Sequence, residues 1–235
     1  MARGQAELGR VDAVSATVAG YRVLEAVVRM TPRGAWFADV VSDEAPTTLA
    51  GVVVFDAPGA TLTGSVVRCG DYSVGMTNRT SMRLVGGRGG LSKPLAPTTL
   101  RKVTPSAIAS ATCRAAGEVL STSATFPAGT LDAWARIAGT AGAAFDALCD
   151  EQAISTWTVL DDGSIWFGAY AWQPSPLDAA DPPITSMDSD AGIGWATYAV
   201  DSLAARPGQT IGGIRIAAVE HRIDVRGMRT EVRYA

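Results

Sequence analysis

Short runs of valine and aromatic residues, broken by proline, glycine and aspartate, fill the first hundred positions. Tyr21–Met30, Trp36–Val41, Ala50–Phe55 and Leu62–Cys69 are such runs, and Pro32-Arg33-Gly34, Asp43–Pro46, Pro58-Gly59 and Gly70-Asp71 separate them. Strands recurring about every 8–14 residues with turn signals between them predict a sandwich or small barrel. Gly86–Gly90, followed by Pro94 and Pro97, closes the region. The glycine cluster reads as a flexible crossover into an irregular connector.

The period then changes. Thr104-Pro105 offers an N-cap with proline at the first helical position, and Ile108, Ala111, Ala115 and Val119 follow at helical spacing, with Thr112 on the same side. A second helical stretch is predicted from Thr130, with Leu131, Trp134 and Ile137 on one face. A third follows Thr140 and gathers Ala144, Phe145, Leu148 and Cys149. Ser155–Leu160, the turn Asp161-Asp162-Gly163 and Ser164–Phe167 then read as a hairpin, because glycine after aspartate supplies the positive φ of such a turn.

Residues 173–194 are rich in proline, aspartate and serine and read as a linker. Strands return at Trp195–Val200, Gly213–Val219, His221–Val225 and Thr230–Tyr234, the last pair joined through Gly227-Met228. Val219, His221, Ile223 and Val225 alternate with Glu220, Arg222, Asp224 and Arg226, so the first set faces inward. The fold class is therefore mostly β (α+β), with two small β-barrel-like domains flanking an inserted small α+β domain. The predicted boundaries are 1–103 for the first β domain, 104–172 for the α+β domain, 173–194 for the linker and 195–235 for the β unit that completes a second barrel.

Composition supports a folded chain: of 235 residues, 47% are hydrophobic and 18% charged, enough to bury a core. Cys69, Cys113 and Cys149 are too few and scattered for a disulfide framework or a zinc cluster, and read as small buried thiols. The N-terminal segment has no apolar signal region, and no apolar run approaches the ~20 residues of a membrane helix. A chain made in the cytoplasm without membrane insertion is expected.

The net charge of −3 conceals a segregation. No acidic residue lies between Asp71 and Glu118, a stretch holding Arg79, Arg83, Arg88, Lys93, Arg101, Lys102 and Arg114. No basic residue lies between Arg136 and Arg206, where Asp146, Asp150, Glu151, Asp161, Asp162, Asp178, Asp181, Asp188, Asp190 and Asp201 fall. Three arrangements account for single-sign blocks: contact with nucleic acid, pairing of the two blocks within one chain, or head-to-tail assembly in which the basic surface of one copy meets the acidic surface of the next. Little aromatic interleaving accompanies the basic residues, so no stable nucleic-acid contact is expected. The candidate interface residues are Arg79, Arg83, Arg88, Arg101 and Lys102 on one side and Asp178, Asp181, Asp188 and Asp190 on the other.

Catalytic patterns fail one after another. Gly90-Leu91-Ser92-Lys93-Pro94 breaks the nucleophile-elbow pattern at its last position, and no Gly-Lys pair completes a phosphate loop. Asp188-Ser189-Asp190-Ala191-Gly192 begins like a calcium loop but lacks the later ligands. Asp43-Glu44 and Asp161-Asp162 fit turns better than a pair of catalytic carboxylates. His221 is the single histidine and lies in phase with apolar neighbours, which suits a satisfied core residue. Trp36, Trp134, Trp157, Trp166, Trp172 and Trp195 lie mostly on apolar faces and read as core anchors, although exposed in a cleft they would suit sugar stacking. No enzyme, cofactor or metal site is expected.

Several segments resemble, in order, the tail hub or baseplate hub proteins of tailed phages and gene transfer agents. Leu62-Thr63-Gly64-Ser65-Val66-Val67-Arg68 is followed by Arg83-Leu84-Val85-Gly86-Gly87-Arg88-Gly89-Gly90-Leu91 and by a helix ending at Ala116-Gly117-Glu118-Val119-Leu120-Ser121. The hairpin Trp157–Gly168 and the closing segments Pro207-Gly208, Gly212-Gly213, Val219–Ile223 and Arg229-Thr230 complete the set. The resemblance spans roughly residues 50–234 and implies a homotrimer whose paired barrels form a pseudo-sixfold ring. Such a ring would link the tail tube to spike or tip proteins in the virion. The chain is short for such a hub, and neither a fused lytic domain nor a spike is expected after Tyr234, so cell-wall hydrolysis is not carried over. The alternative reading is a carbohydrate-binding or glycan-degrading tail-tip protein.

Overall fold

Alternation between core and solvent shapes the first third of the chain. In the strand Phe37–Ser42, Ala38, Val40 and Ser42 are buried while Phe37, Asp39 and Val41 face outward. The computed structural model describes residues 15–43, 45–74, 77–177, 184–188, 195–199 and 202–234. Six strands come first: β1 (Thr17–Val18), β2 (Tyr21–Met30), β3 (Phe37–Ser42), β4 (Gly51–Ala57), β5 (Ala60–Val74) and β6 (Thr77–Gly86). They pair in the order β1-β4-β5-β6-β3-β2, and β1 also pairs with the start of β2, which closes a six-stranded barrel. Phe55, Leu62, Leu84 and Val28 fill its interior, each completely or almost completely shielded from solvent.

Trp36 occupies one end of the barrel. Gly64 and Gly86 are cross-strand partners in phase with Leu62 and Leu84, and together they leave a slot for the indole ring. A Cβ on Gly64 would lie 2.7 Å from the ring, and one on Gly86 would lie 2.5 Å from its Nε1. Glycine is needed here for space, since neither residue has a positive φ.

The middle of the chain covers that end. It holds β7 (Pro94–Leu95), β8 (Thr98–Val103), α1 (Pro105–Ala116), β9 (Leu131–Arg136), β10 (Gly139–Thr140), α2 (Ala141–Glu151), β11 (Thr156–Val159) and β12 (Ile165–Gly168). Thr104 and Thr140 cap the two helices through their hydroxyls, and Gly117 ends α1 in the left-handed conformation at φ 85°. The buried stripe of α1 is Pro105, Ile108, Ala109, Thr112, Cys113 and Ala116. Ala115 is exposed and Val119 lies beyond the cap, so the predicted face is rotated by one position.

The helix predicted from Thr130 is instead strand β9, paired antiparallel with β8 and matching Trp134 to Leu100. The three-residue spacing of Leu131, Trp134 and Ile137 does not record a helical face: Trp134 is buried, whereas Ile137 is 80% exposed. β11 and β12 form the predicted hairpin, with Gly163 at φ 79° and the Asp162 carboxylate accepting from the Ser164 N–H and hydroxyl.

The remaining strands are β13 (Gln173–Pro174), β14 (Ile184–Asp188), β15 (Trp195–Ala199), β16 (Gln209–Ile211), β17 (Ile214–Asp224) and β18 (Gly227–Tyr234). Two of them, β13 and β14, fall within the stretch read as a linker. Its abundance of proline and aspartate hides two short strands, β13 paired with the distant β16 and β14 paired with the following β15. The two predicted strands around Glu220 form one, β17, and Val225 stands in the following turn, 76% exposed instead of facing inward. β17, β18, β15 and β14 run antiparallel in that order, with β16 beside β17 and β13 parallel to β16. Their own core comprises Leu177, Ala196, Tyr198, Ala205, Ile211, Ile216, Val219 and Val232.

One strand joins the two β units. The first two residues of β2 pair with β1, and Ala26–Met30 on the same edge pair with β17, producing one continuous 12-stranded sheet. His221 lies in that seam, fully buried, between Val28 of β2 and Thr230 of β18. Its Nε2 is 3.2 Å from the Ala205 carbonyl and its Nδ1 2.8 Å from the Thr230 hydroxyl. A carbonyl only accepts, so Nε2 carries the proton and Nδ1 accepts from Thr230. Burial, with the charge of Arg206 second, pushes the imidazole pKa down to about 3. The histidine is a core residue, as its phase in the strand predicts, and its burial keeps it neutral.

Candidate assembly interface

The predicted basic residues do not form one patch. Arg79 and Arg83 share the outward face of β6, Arg88 lies in the glycine loop, and Arg101 and Lys102 lie on β8. Lys102 pairs with Asp132 across the ribbon. The Nε of Arg79 is buried without a partner, although the side chain as a whole is half-buried. Asp178, Asp181 and Asp190 lie outside the described residues, as does Glu44 of the Asp43-Glu44 pair; Asp188 ends β14, its backbone opposite Trp195.

Arg83 belongs to a charge ladder that crosses four strands. Its guanidinium donates to both oxygens of Asp39 on β3, at 2.8 and 2.7 Å. Arg29 on β2 lies 3.6 Å from the same carboxylate and 2.5 Å from Glu220 on β17, and Arg222 reaches Glu220 at 2.6 Å. The Phe37 ring lies beneath both Arg29 and Arg83, at 5.6 and 5.5 Å. Hydrogen bonding from Arg83 holds the Asp39 carboxyl below its ordinary range. Burial pushes Glu220 up, but the hydrogen bonds from Arg29 and Arg222 outweigh it and leave the group lowered. Sequence alone reaches only Arg83 of this set, because the ladder depends on the register of four strands.

Among the described residues, no ion pair joins the basic block to the acidic block. Arg33, in the β2–β3 turn, takes Asp146 and Asp150 of α2, each at 2.8 Å, and Arg206 takes Asp161 at 3.1 Å. Arg88 acts on Asp162 through its field. The acidic residues of the middle unit are thus used to clamp that unit onto the barrel and onto the C-terminal segment. Asp146 also accepts from the Trp157 indole at 2.8 Å. Asp146→Ala is therefore expected to cost about 2 kcal/mol, since it strands a buried donor, against about 0.5 kcal/mol for the more exposed Asp150→Ala. Urea unfolding of the two variants checks the difference.

Two open features of the described residues could meet a neighbour. β5 outlasts its neighbours: its last pair with β4 is Val66–Gly51, and the last pair of β6 with β3 is Thr80–Ser42. From Val67 onward β5 is an edge strand that has lost β4, with Arg68, Asp71 and Tyr72 exposed along it, and residues 72–74 with 77–79 continue as a short two-stranded arm beyond the barrel wall. The second surface is a cleft of about 580 Å³ bordered by Met30, Trp36, Leu160, Trp166, Tyr170 and Pro207. Trp166 and Tyr170 stack at 5.9 Å, Trp172 meets Tyr170 edge-on, and the Tyr170 hydroxyl donates to the Pro32 carbonyl at 2.7 Å. Gly208 lies so close to Tyr170 that a Cβ would come within 2.1 Å of the ring. These half-buried aromatics join three parts of the chain, while Trp36, Trp134 and Trp157 are core residues.

Solved structures share this architecture. The chain aligns with the 43 kDa tail protein of prophage MuSo2 from Shewanella oneidensis at a TM-score of 0.70 and 10% identity, covering 95% of this chain and 98% of that one. This chain has the fold of phage tail proteins. A tail protein from Neisseria meningitidis MC58 aligns at 0.65 and 14% identity over 94% and 95% of the two chains. A component of the Escherichia coli type VI secretion system, described as structurally similar to the T4 phage tail proteins gp27 and gp5, aligns at 0.67 and 12% identity over 96% of this chain and 75% of its own. No family model matches the sequence, and no curated protein matches it. The mostly β class and the closed barrel expected from the sequence agree with this tail-protein fold.

Proposed function

We propose that the chain is a structural tail protein, a hub-ring component that links the tail tube to the tip or spike by protein–protein contact and uses no catalytic residue. The observation that supports this reading is the near end-to-end likeness to a tail protein, barrel, inserted unit and second β unit together. The internal chemistry is consistent with it: the lone histidine is sealed in the core, and the Asp161 and Asp162 carboxylates are held by Arg206 and Ser164. The two-stranded arm supplies a natural contact, because an isolated ribbon is only marginally stable and gains from a neighbour. Arg79 at its base, together with Arg101 on β8, would then face acidic groups of the next copy.

Electron microscopy and mass photometry of the purified protein test the proposal, with threefold rings as the expected result. A monomer at every concentration, alone and with tube and spike proteins, would overturn it. Raising sodium chloride from 50 to 500 mM is expected to weaken ring formation about tenfold if charge complementarity closes the ring, and Arg79→Glu with Arg101→Glu to do the same at low salt. A salt-independent ring would assign closure to the arm and its apolar contacts instead.

A further inference from the structure

We propose that the glycine loop 86–90 is an anion-binding site whose resident ligand is the protein's own Glu118, and that a small carboxylate from solution takes this place when the side chain is removed. The loop is not the flexible crossover its composition suggests. The Arg88 N–H donates to one oxygen of Glu118 at 2.8 Å, and the Gly90 N–H donates to the other at 2.6 Å. Glu118 is 94% buried, and among the described residues it has no ion pair. Its negative charge is thus met by backbone N–H groups, the chemistry by which glycine-rich loops hold phosphates and carboxylates.

The loop is shaped around that carboxylate. Gly87 and Gly89 have φ of 98° and 89°, where side chains are strained. A Cβ on Gly87 would lie 2.9 Å from a Glu118 oxygen, and one on Gly90 would lie 2.3 Å from the Ala116 carbonyl. The Ser65 hydroxyl donates to the Gly87 carbonyl at 3.1 Å and fixes the loop to the barrel. On the other side, the Glu118 N–H donates to the Cys113 carbonyl at 2.8 Å, fixing the carboxylate to the end of α1. The site is therefore a latch between the barrel and the inserted unit, preformed on the barrel side and filled from the helix side. It is independent of any role in a tail.

The test uses the full chain. Glu118→Ala is expected to melt below the native protein, and sodium formate to raise its midpoint saturably by about 4 °C or more, as a ligand of the folded state does. Sodium chloride at equal ionic strength is expected to leave it unmoved, and formate to leave the native protein and Asp146→Ala unmoved. Formate shifting all of these equally, or Glu118→Ala melting with the native protein, would overturn the proposal. Should Glu118→Ala fail to fold, Glu118→Gln supplies the measurement. Its amide turns a donor towards one N–H, so exchange of the Arg88 or Gly90 amide is expected to quicken at least about tenfold. Unchanged exchange at both would overturn the assignment.

Discussion

Replacing Trp36 with alanine is expected to lower stability by about 4 kcal/mol, the range for emptying a large aromatic site in a core, read from urea unfolding. The ring is 3% exposed and rests in the slot made by Gly64 and Gly86. The same geometry predicts a coupling. Gly86→Ala should cost about 2 kcal/mol in the native background by overpacking, and much less once Trp36 is alanine, because the indole atoms are its nearest obstacles. Gly64→Ala should remain costly in both backgrounds, because the Val85 carbonyl would still lie 2.8 Å from its Cβ. Simple additivity of Trp36→Ala and Gly86→Ala would disprove the slot. Trp36→Phe should cost only about 1 kcal/mol, since the buried indole N–H has no partner to lose.

Acidification from pH 7.0 to 4.5 should remove about 2–3 kcal/mol of stability through His221 alone. Above pH 6.5 the imidazole is neutral whether the chain is folded or unfolded, and pH has no effect through it. Below 6.5 the unfolded chain takes up a proton, while the folded chain refuses it until about pH 3. Stability therefore falls across that window, at a limiting slope of about 1.4 kcal/mol per pH unit. Asp39, Asp162 and Glu220, whose carboxyls are lowered, withdraw stability mainly below the ordinary carboxylate range, further into acid. His221→Gln separates the contributions: its stability should stay nearly flat from pH 7.0 to 5.0, where the native protein already weakens. Parallel curves for the two proteins would show that His221 is not held neutral.

Much of the barrel was legible because its signals are local. Runs rich in valine and aromatic residues such as Tyr21–Met30 and Leu62–Cys69, and the Pro-Gly and Gly-Asp breaks between them, are each contained in one segment. The threonine caps of α1 and α2, and the Asp-Asp-Gly turn, are likewise written within a few residues. The buried face of β3, with Ser42 inside and Phe37 outside, is not readable from residue type. Where local spacing misled, burial came from elsewhere. Leu131, Trp134 and Ile137 are spaced like a helical face, but pairing with β8 gives only Trp134 a buried place. Val119 continues the helical period of α1 in sequence, yet Gly117 has already turned the chain away.

The sequence by itself determined the strand and turn periodicity, the mostly β class and the inward place of His221. The tertiary structure alone decided which charges meet. Arg29 and Glu220 are 191 positions apart and become partners through the register of β2 on β17. Glu118 and the glycine loop carry no mark of each other until the end of α1 is laid against the barrel. Periodicity is a property of one segment, whereas an ion pair or an anion nest needs two distant segments fixed in one register, and that choice is made only by packing the whole chain.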